Sequence, residues 1–300
     1  MSISVEQLLT ILPADATAVG DRSRAVDGVA TIGEGDIEAL SFISATGDKA
    51  QVLFDRTRCG VIVTGPGIVN TAPQDRTQII IERPRFWFIK LVQRFFTPAV
   101  VPGIHPTAVI DPSVTVGSDC FVGAHAVIGA GCSLGDRCVI APNVTIYPGC
   151  RLGNDVVVNA GTVIGADGFG YERDADGTPV KFPHLGGVQI GDEVEIGSNT
   201  SIDRGTIGDT IIGRGVKIDN QCHISHNVKI GDGAFVIAQS MIGGSVKIGR
   251  NAWIAPSVAI RNQIPVGDDA IVGMGAVVVK AVEAGTTVAG VPAKPLPSKD

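Results

Sequence analysis

An aliphatic residue recurs at every sixth position over more than half of this chain. One series of these anchors runs from Ile104 to Ile164 and another from Ile212 to Val278. Between them the repeat resumes briefly at Ile190, Ile196 and Ile202. A period of six fits neither an α-helix nor simple strand alternation, and is typical of a parallel β-helix built from hexapeptide repeats. Each anchor should point inward, so that stacked coils bury a continuous aliphatic column that no single coil could bury alone.

Two interruptions break the repeat. The first is a loop at 165–189 with Phe169 and Tyr171 near its start, and the second is a slip of four residues within 206–210. Long loops cost a solenoid little stability and often carry function. For the loop, a role facing substrate and a role as a packing flap against a neighbouring subunit both remain open.

The first hundred residues lack the period of six and resemble an ordinary α/β domain. Helices are predicted at 5–12, capped by Ser4, and at 85–96 after Pro84, with buried strands at 60–64 and 78–81. The predicted fold is therefore mostly β. It comprises a small N-terminal α/β domain at 1–100, a β-helix at 101–280 and a short C-terminal tail at 281–300.

Composition excludes several classes of protein. The net charge of -6 and the pI near 5.4 argue against nucleic acid as a partner, because phosphate binding needs a basic face. No apolar run approaches the roughly 18 residues of a transmembrane helix. The stretch 1–18 lacks the basic start of a signal peptide, so we expect a cytoplasmic protein.

The cysteines suggest packing rather than metal binding. Five of them occupy one slot of the repeat, four residues after an anchor, where other repeats have alanine, valine, threonine or serine; they are Cys120, Cys132, Cys138, Cys150 and Cys222. No C-x-x-C spacing occurs, so we expect small buried side chains and no metal site.

Residues 217–231 carry two of the five histidines of the chain. The hexapeptide period of this chain is similar to that of the left-handed β-helix acyltransferases, in which three hexapeptides make one triangular coil of 18 residues. The acyl transfer that this resemblance implies, from a thioester to an amine, needs a base, a donor for the developing oxyanion and a groove for the acyl carrier arm. Histidine suits the first task, so His226 is the candidate base. Gly244 lies 18 residues further on, one triangular coil away, and is the candidate oxyanion donor; Asp219 is the candidate for orienting the imidazole.

Other interpretations of the same residues remain open. His226 can be one polar residue on a solvated face of a non-catalytic scaffold. His184, His223 and His226 can also be considered as a zinc site of the kind found in β-helical carbonic anhydrases, although the separated three-histidine pattern of those enzymes is absent.

Several segments resemble the UDP-3-O-acylglucosamine N-acyltransferases of lipid A biosynthesis, a family of left-handed β-helix acyltransferases. The likeness covers nearly the whole chain and is strongest in Ile218-Asp219-Asn220-Gln221-Cys222 running to His226-Asn227-Val228. It extends to the following shorter segments: Leu40-Ser41-Phe42, Gly103-Ile104-His105-Pro106-Thr107-Ala108, Asp167-Gly168-Phe169-Gly170-Tyr171 and Ile202-Asp203-Arg204-Gly205.

The resemblance implies an activity and a set of partners. It implies a left-handed β-helix and a homotrimer with active sites between subunits, and it places the catalytic base at His226. A 3-hydroxyacyl group would pass from acyl carrier protein to the 2-amine of a nucleotide-linked sugar. No cofactor is implied, since 4′-phosphopantetheine enters with the carrier protein. The substrate-binding residues would be Phe42, Phe169, Tyr171, Asn220, His223 and Asn227.

The chain also departs from the family pattern. Where the family has a uracil-binding Asn-Pro-Lys-Tyr, this chain has Ala45-Thr46-Gly47-Asp48. A second histidine common in the family would fall near Asn262-Gln263, and the helical extension after the β-helix is absent. A related transferase that uses acyl-CoA or a different amine acceptor is therefore the alternative.

Overall fold

The protein is represented by a computed structural model that describes residues 2–296. Its contacts divide it into two compact units, the first ending at Ala99 and the second beginning at Val100. Each unit has its own hydrophobic core, as expected of a separate domain.

The first unit is a five-stranded sheet with helices. Three parallel pairings join four of the strands, and the fifth strand, at one edge, runs antiparallel. In spatial order the strands are Thr17–Val19, Thr77–Ile80, Val61–Thr64, Ala39–Ile43 and Gly28–Val29. A separate antiparallel pair is formed by Ile3–Ser4 and Ala25–Val26. Two clusters of buried side chains form the hydrophobic core of the first unit.

Three helices accompany this sheet: α1 is Val5–Leu9, α2 is Gly47–Arg56 and α3 is Pro84–Phe95. The predicted Ser4 cap is confirmed, because its hydroxyl accepts a hydrogen bond from the Gln7 N–H at 3.3 Å. The predicted strands and the helix after Pro84 are also confirmed within a residue or two. The first helix is shorter than predicted, and Ala39–Ile43 and α2 were not predicted.

The second unit is a parallel β-helix with three flat faces, which confirms the fold predicted from the hexapeptide period. Face 1 contains Gly103–Ile104, Phe121–Val122, Val139–Ile140, Val157–Val158, Glu195–Ile196, Lys217–Ile218, Phe235–Val236, Trp253–Ile254, Ile271–Val272, Thr287–Ala289 and Lys294–Pro295. Face 2 contains Val109–Ile110, Val127–Ile128, Thr145–Ile146, Val163–Ala166, Ser201–Asp203, His223–Ile224, Met241–Ile242, Ala259–Ile260 and Val277–Val278. Face 3 contains Thr115–Val116, Ser133–Leu134, Arg151–Leu152, Val188–Ile190, Thr210–Ile212, Lys229–Ile230, Lys247–Ile248 and Pro265–Val266.

Strand pairing gives the length of each coil. Partners on adjacent coils are normally 18 residues apart, as between Phe121 and Val139. Across the loop Val157 pairs with Glu195, and after it Glu195 pairs with Lys217. These two larger separations accommodate the loop and the four-residue slip expected from the sequence. Within the loop, Tyr171–Arg173 and Pro179–Lys181 form an antiparallel hairpin.

The core of the β-helix is the predicted aliphatic column. From Val122 to Val278 the anchors are almost completely buried. All six cysteines are buried and unpaired, as expected for packing residues. At the corners, backbone N–H groups donate to side-chain oxygens one coil further on; these acceptors include Asp136, Asn154, Asp192, Asn220, Asp232 and Asp268.

The β-helix continues further than predicted at its C-terminal end. Residues after Val278 were expected to form a tail, but Thr287–Ala289 pairs in parallel with Ile271–Val272 and adds a partial coil to face 1. The final strand, Lys294–Pro295, then runs antiparallel to it. Within residues 2–296, no helix has the length and apolarity needed to cross a membrane.

Candidate active site

His226 lies at the corner where the chain passes from face 2 to face 3. The buried anchor Ile224 precedes it, and Asn227 follows with a φ of 60°. Asparagine tolerates this left-handed conformation better than most residues, so the Ser-His-Asn sequence suits a sharp corner. The turn leaves the His226 side chain half-buried on the outside of the β-helix.

Asn227 sets the tautomer of His226. Its Nδ2 donates to the Gly208 carbonyl at 2.8 Å, so its Oδ1 is the acceptor, and Oδ1 also receives the N–H and hydroxyl of Thr206. Nδ1 of His226 lies 3.1 Å from the same Oδ1 and must therefore carry the proton in the neutral ring. The lone pair is left on Nε2, as a general base requires.

This arrangement gives Asn227 a role different from the one implied by resemblance. In this chain Asn227 binds Thr206, Gly208 and His226, and does not present a free amide for substrate. The asparagine orients the catalytic candidate, much as an acid orients the histidine in a catalytic triad.

Gly244 lies against the His226 ring, as the one-coil spacing predicts. The next residue, Ser245, donates its N–H to the His226 carbonyl at 2.9 Å. A Cβ added to Gly244 would stand 2.7 Å from both Cε1 and Nε2 of His226. The absence of a side chain at this position therefore leaves space beside Nε2.

The predicted oxyanion donor is, however, already occupied. The Gly244 N–H donates to Oδ1 of Asn262 at 3.1 Å, in the same way that other corner N–H groups donate one coil further on. The role of Gly244 as oxyanion donor therefore stays a prediction, and the sequence alone did not reveal this hydrogen bond to Asn262. An oxyanion can use this donor only when the Asn262 amide shares it or moves away.

We expect Gly244→Ala to lower kcat by about 10- to 100-fold, because the new methyl group must displace the His226 ring from its bond to Asn227. Steady-state acyl transfer and thermal unfolding would be measured together. Gly208→Ala is the matched control, since a Cβ there meets nothing within 4 Å. Equal activity in the two variants would show that the space beside Nε2 is not needed.

Asp203 is the acid of this site, and sequence reasoning missed it. Ile202 pairs with Ile224, so Asp203 stands opposite Ser225, one residue before His226. Its Oδ2 lies 3.6 Å from Nε2 of His223, and its side chain is 9% exposed. Burial raises the pKa of Asp203 to about 6, while positive charge on His226 acts in the opposite direction.

Asp219 does not reach His226 within one chain. It stands at the preceding corner, between faces 1 and 2, where Oδ1 accepts the Asn220 N–H and Oδ2 accepts the Ala238 N–H. The predicted pairing of Asp219 with His226 is therefore wrong inside the protomer. The seven residues from 219 to 226 take the chain from one corner of the β-helix to the next. Asp219 and His226 therefore lie at different corners.

Asp219 and Asn220 instead line a groove of about 540 Å³ on face 1, together with Lys217, Phe235 and Ile237. Asn220 Oδ1 accepts the Ser198 N–H at 2.6 Å, which makes it part of the corner ladder. Asn220 is otherwise exposed to solvent.

His223 lies on the outer surface of face 2, beside the site. Its Nδ1 is 2.8 Å from the Ser201 hydroxyl, and its Nε2 faces Asp203. Burial and the nearby charge of His226 lower the pKa of His223 below its usual value. A neutral, hydrogen-bonded His223 fits a neighbour of the base better than a second base.

The loop 165–189 folds back onto the same corner and forms a flap. Backbone hydrogen bonds fix its C-terminal end, among them those from the Leu185 N–H to the Thr206 carbonyl at 2.6 Å and from the Gly186 N–H to the Gly205 carbonyl at 3.0 Å. Phe169 and Tyr171 pack together with ring centroids 5.0 Å apart, and Phe169 is 86% exposed. Their rings border a cavity of about 450 Å³ on the hairpin.

Phe42 belongs to the first unit, where it is half-buried and its ring lies 4.7 Å from that of Phe88. A zinc site receives no support from the geometry. Among the described residues, no group of three or more histidine, cysteine, aspartate or glutamate side chains is placed to hold a metal ion.

Comparison with known proteins gives the family. The model described as "Bacterial transferase hexapeptide (six repeats)" matches residues 131–166 and 209–244. The model described as "Hexapeptide repeat of succinyl-transferase" matches residues 113–148 and 263–280. Both matches fall within the β-helix.

Two solved structures share the fold. UDP-N-acetylglucosamine O-acyltransferase from Moraxella catarrhalis is 26% identical with a TM-score of 0.58, and covers 64% of this chain and 73% of its own. The UDP-N-acetylglucosamine acyltransferase of Bacteroides fragilis is 27% identical with a TM-score of 0.59, covering 65% and 74%.

Relatives by sequence carry a different name. UDP-3-O-acylglucosamine N-acyltransferase from Neisseria meningitidis is 42% identical over 233 residues, which is 71% of this chain and 66% of the relative. The enzyme of the same name from Coxiella burnetii is 34% identical over 252 residues, which is 77% of this chain and 72% of the relative. At this identity and coverage, the chain belongs to the UDP-3-O-acylglucosamine N-acyltransferase family.

Proposed function

We propose that this protein transfers a 3-hydroxyacyl group from acyl carrier protein to the 2-amine of a UDP-linked 3-O-acylglucosamine. One observation carries the proposal: Asn227 fixes the tautomer of His226 so that Nε2 keeps its lone pair, beside the space left by Gly244. Such a base, placed outside a rigid corner, suits attack by an amine on a thioester.

The chemistry follows from that geometry. Nε2 of His226 removes a proton from the amine as its nitrogen attacks the thioester carbonyl, and an oxyanion develops on the carbonyl oxygen. The tetrahedral intermediate collapses, the C–S bond breaks, and the imidazolium returns the proton to the leaving thiolate. Asp203, buried beside the two histidines, stabilises the positive charge that His226 gains.

The proposal also specifies the acyl donor and the acceptor. Acyl carrier protein would deliver the chain on its 4′-phosphopantetheine arm, and no further cofactor is required. Ala45-Thr46-Gly47-Asp48 leads into α2 where the family has its uracil-binding segment. If the acceptor is a UDP sugar, other residues must therefore recognise the nucleotide. The competing possibility is that the enzyme acylates a different amine.

We also propose that the enzyme is a cytoplasmic homotrimer with sites between subunits. Phe235, Trp253 and Ile271 lie on successive coils of face 1 and are 40–44% exposed, an apolar column that favours contact with another copy. The groove at Asp219 and Asn220 would then complete the site of a neighbouring protomer. Six unpaired cysteines suit a reducing compartment.

A donor–acceptor matrix tests the proposal. Purified protein would be given 3-hydroxyacyl carrier protein or acyl-CoA, each with UDP-3-O-acylglucosamine or simpler amino sugars, and product would be followed by mass spectrometry. We expect transfer from the carrier protein to the UDP sugar. Transfer only to another amine would contradict the acceptor, and transfer only from acyl-CoA would contradict the donor.

A further inference from the structure

A second histidine lies in the flap beside the candidate base. His184 is 6% exposed, and its ring centroid is 5.5 Å from that of His226, with the two rings 76° apart. It comes from the C-terminal end of the flap, whereas His226 comes from a corner of the β-helix. The folding of the flap therefore brings together two imidazoles that are far apart in the sequence.

The hydrogen bonding of His184 fixes which of its ring nitrogens carries the proton. Nδ1 lies 2.9 Å from the Phe182 carbonyl, which can only accept, so Nδ1 is the donor in the neutral ring. Nε2 is then an acceptor with a lone pair. This atom is buried and has no hydrogen-bond partner within residues 2–296.

An unpaired buried acceptor is costly, and most such groups in native proteins are satisfied. The cost suggests that a partner arrives during function. The amine nitrogen of an amino sugar must face Nε2 of His226, and hydroxyl groups on the same ring are the nearest further donors. The spacing of the two imidazoles is one that a single sugar ring can span.

The segment of the flap that covers the two imidazole rings contains two glycines in close contact with them. Gly168 lies over both rings, and a Cβ there would be 3.0 Å from Nε2 of His184 and 3.0 Å from Cβ and Cδ2 of His226. At Gly170 a Cβ would approach Cε1 of His184 to 3.3 Å. A sugar hydroxyl can reach Nε2 of His184 only when this segment moves aside, and the conformational freedom of glycine allows such a shift.

We propose that Nε2 of His184 accepts a hydrogen bond from a hydroxyl group of the acceptor sugar and so orients the amine towards His226. This inference rests on the proposed function, because it takes an amino sugar as the acceptor. It makes His184 a substrate-binding residue of the flap, and it gives the flap a direct part in acceptor recognition.

The alternative is a purely structural role, in which His184 only packs against His226. Phenylalanine would preserve an edge-to-face aromatic contact but offers no acceptor. Glutamine would lose the ring but can offer Oε1 as an acceptor and its amide N–H to the Phe182 carbonyl. His184→Phe and His184→Gln therefore separate packing from hydrogen bonding.

The experiment measures kcat and KM for the acceptor at saturating donor, with wild-type protein, His184→Phe, His184→Gln and His184→Leu. Each is tested with UDP-3-O-acylglucosamine and with its 4-deoxy and 6-deoxy analogues. We expect His184→Phe and His184→Leu to lose about tenfold in kcat/KM, and His184→Gln to lose about threefold or less. One deoxy analogue should cost the wild type a similar factor and cost His184→Leu nothing further.

Thermal unfolding of the four proteins shows whether a loss reflects folding instead. Full activity of a folded His184→Phe would overturn the inference, as would losses that add with both deoxy analogues. Failure of the proposed function is distinguishable, because the wild-type protein would then not acylate the UDP sugar at all, and the inference would fall with it. A wild type that is active and indifferent to both deoxy analogues overturns the His184 inference alone.

Discussion

Acyl transfer by His226→Ala is expected to be at least about 10³-fold slower than by the wild-type protein, because the substitution removes the group that accepts the amine proton. The fold should survive, because the His226 carbonyl still accepts the Ser245 N–H and Asn227 still binds Thr206 and Gly208. The measurement is the initial rate of product formation at saturating donor and acceptor. Light scattering would show that the assembly is unchanged.

His105→Ala is a matched control, since His105 is an exposed histidine whose Nδ1 likewise contacts a nearby side chain, the Thr107 hydroxyl at 2.9 Å. It should retain full activity. A rate for His226→Ala within a few-fold of the His105→Ala rate would remove His226 from the mechanism. If the protein is a non-catalytic scaffold, the wild type should transfer no acyl group. The wild-type assay therefore already discriminates between an acyltransferase and a scaffold.

The fold of the β-helix could be predicted from the sequence because its rule is local and strictly periodic. Every anchor is specified by its distance from the one before it, and the same rule places Gly244 beside His226 one coil later. The α/β unit follows no such rule. Its strand Ala39–Ile43 and helix α2 depend on packing between distant segments, and the short apolar runs in them gave too weak a signal.

The candidate site was harder to predict because its partners cross the interruptions. Asp203 stands near His226 only once the four-residue slip is included in the register that pairs Ile202 with Ile224. Asp219 is closer in sequence but belongs to another corner. His184 lies in a flap that the repeat does not govern, so its contact with His226 appears only in the folded structure.

Asp203→Asn is expected to lower kcat by about 10²-fold while leaving the acceptor KM nearly unchanged, because the carboxylate acts on charge that develops only as His226 takes the proton. Asparagine keeps the shape of the side chain and removes its charge. The tautomer of His226 should persist, since Asn227 sets it. A rate within a few-fold of wild type would show that the imidazolium does not need this acid.

The same variant should be more stable than the wild type at pH 8 and equal to it at pH 3. Burial raises the pKa of Asp203 in the folded protein to about 6 from a value of 3.8. Below pH 3.8 the carboxyl is protonated in both folded and unfolded chains and contributes nothing. Between pH 4 and 6 the unfolded chain ionises first, so wild-type stability falls as pH rises.

Above pH 6 the penalty is complete and, at about two pKa units, is at most on the order of 3 kcal/mol. Asparagine carries no such penalty, so the two unfolding midpoints should separate between pH 4 and 6 and then run parallel to pH 8. Thermal unfolding across this range measures the effect. Loss of stability in Asp203→Asn at pH 8 would mean that the carboxylate is held by favourable contacts and is structural. A slower but more stable enzyme would instead show that the acid is retained for catalysis at the expense of folding stability.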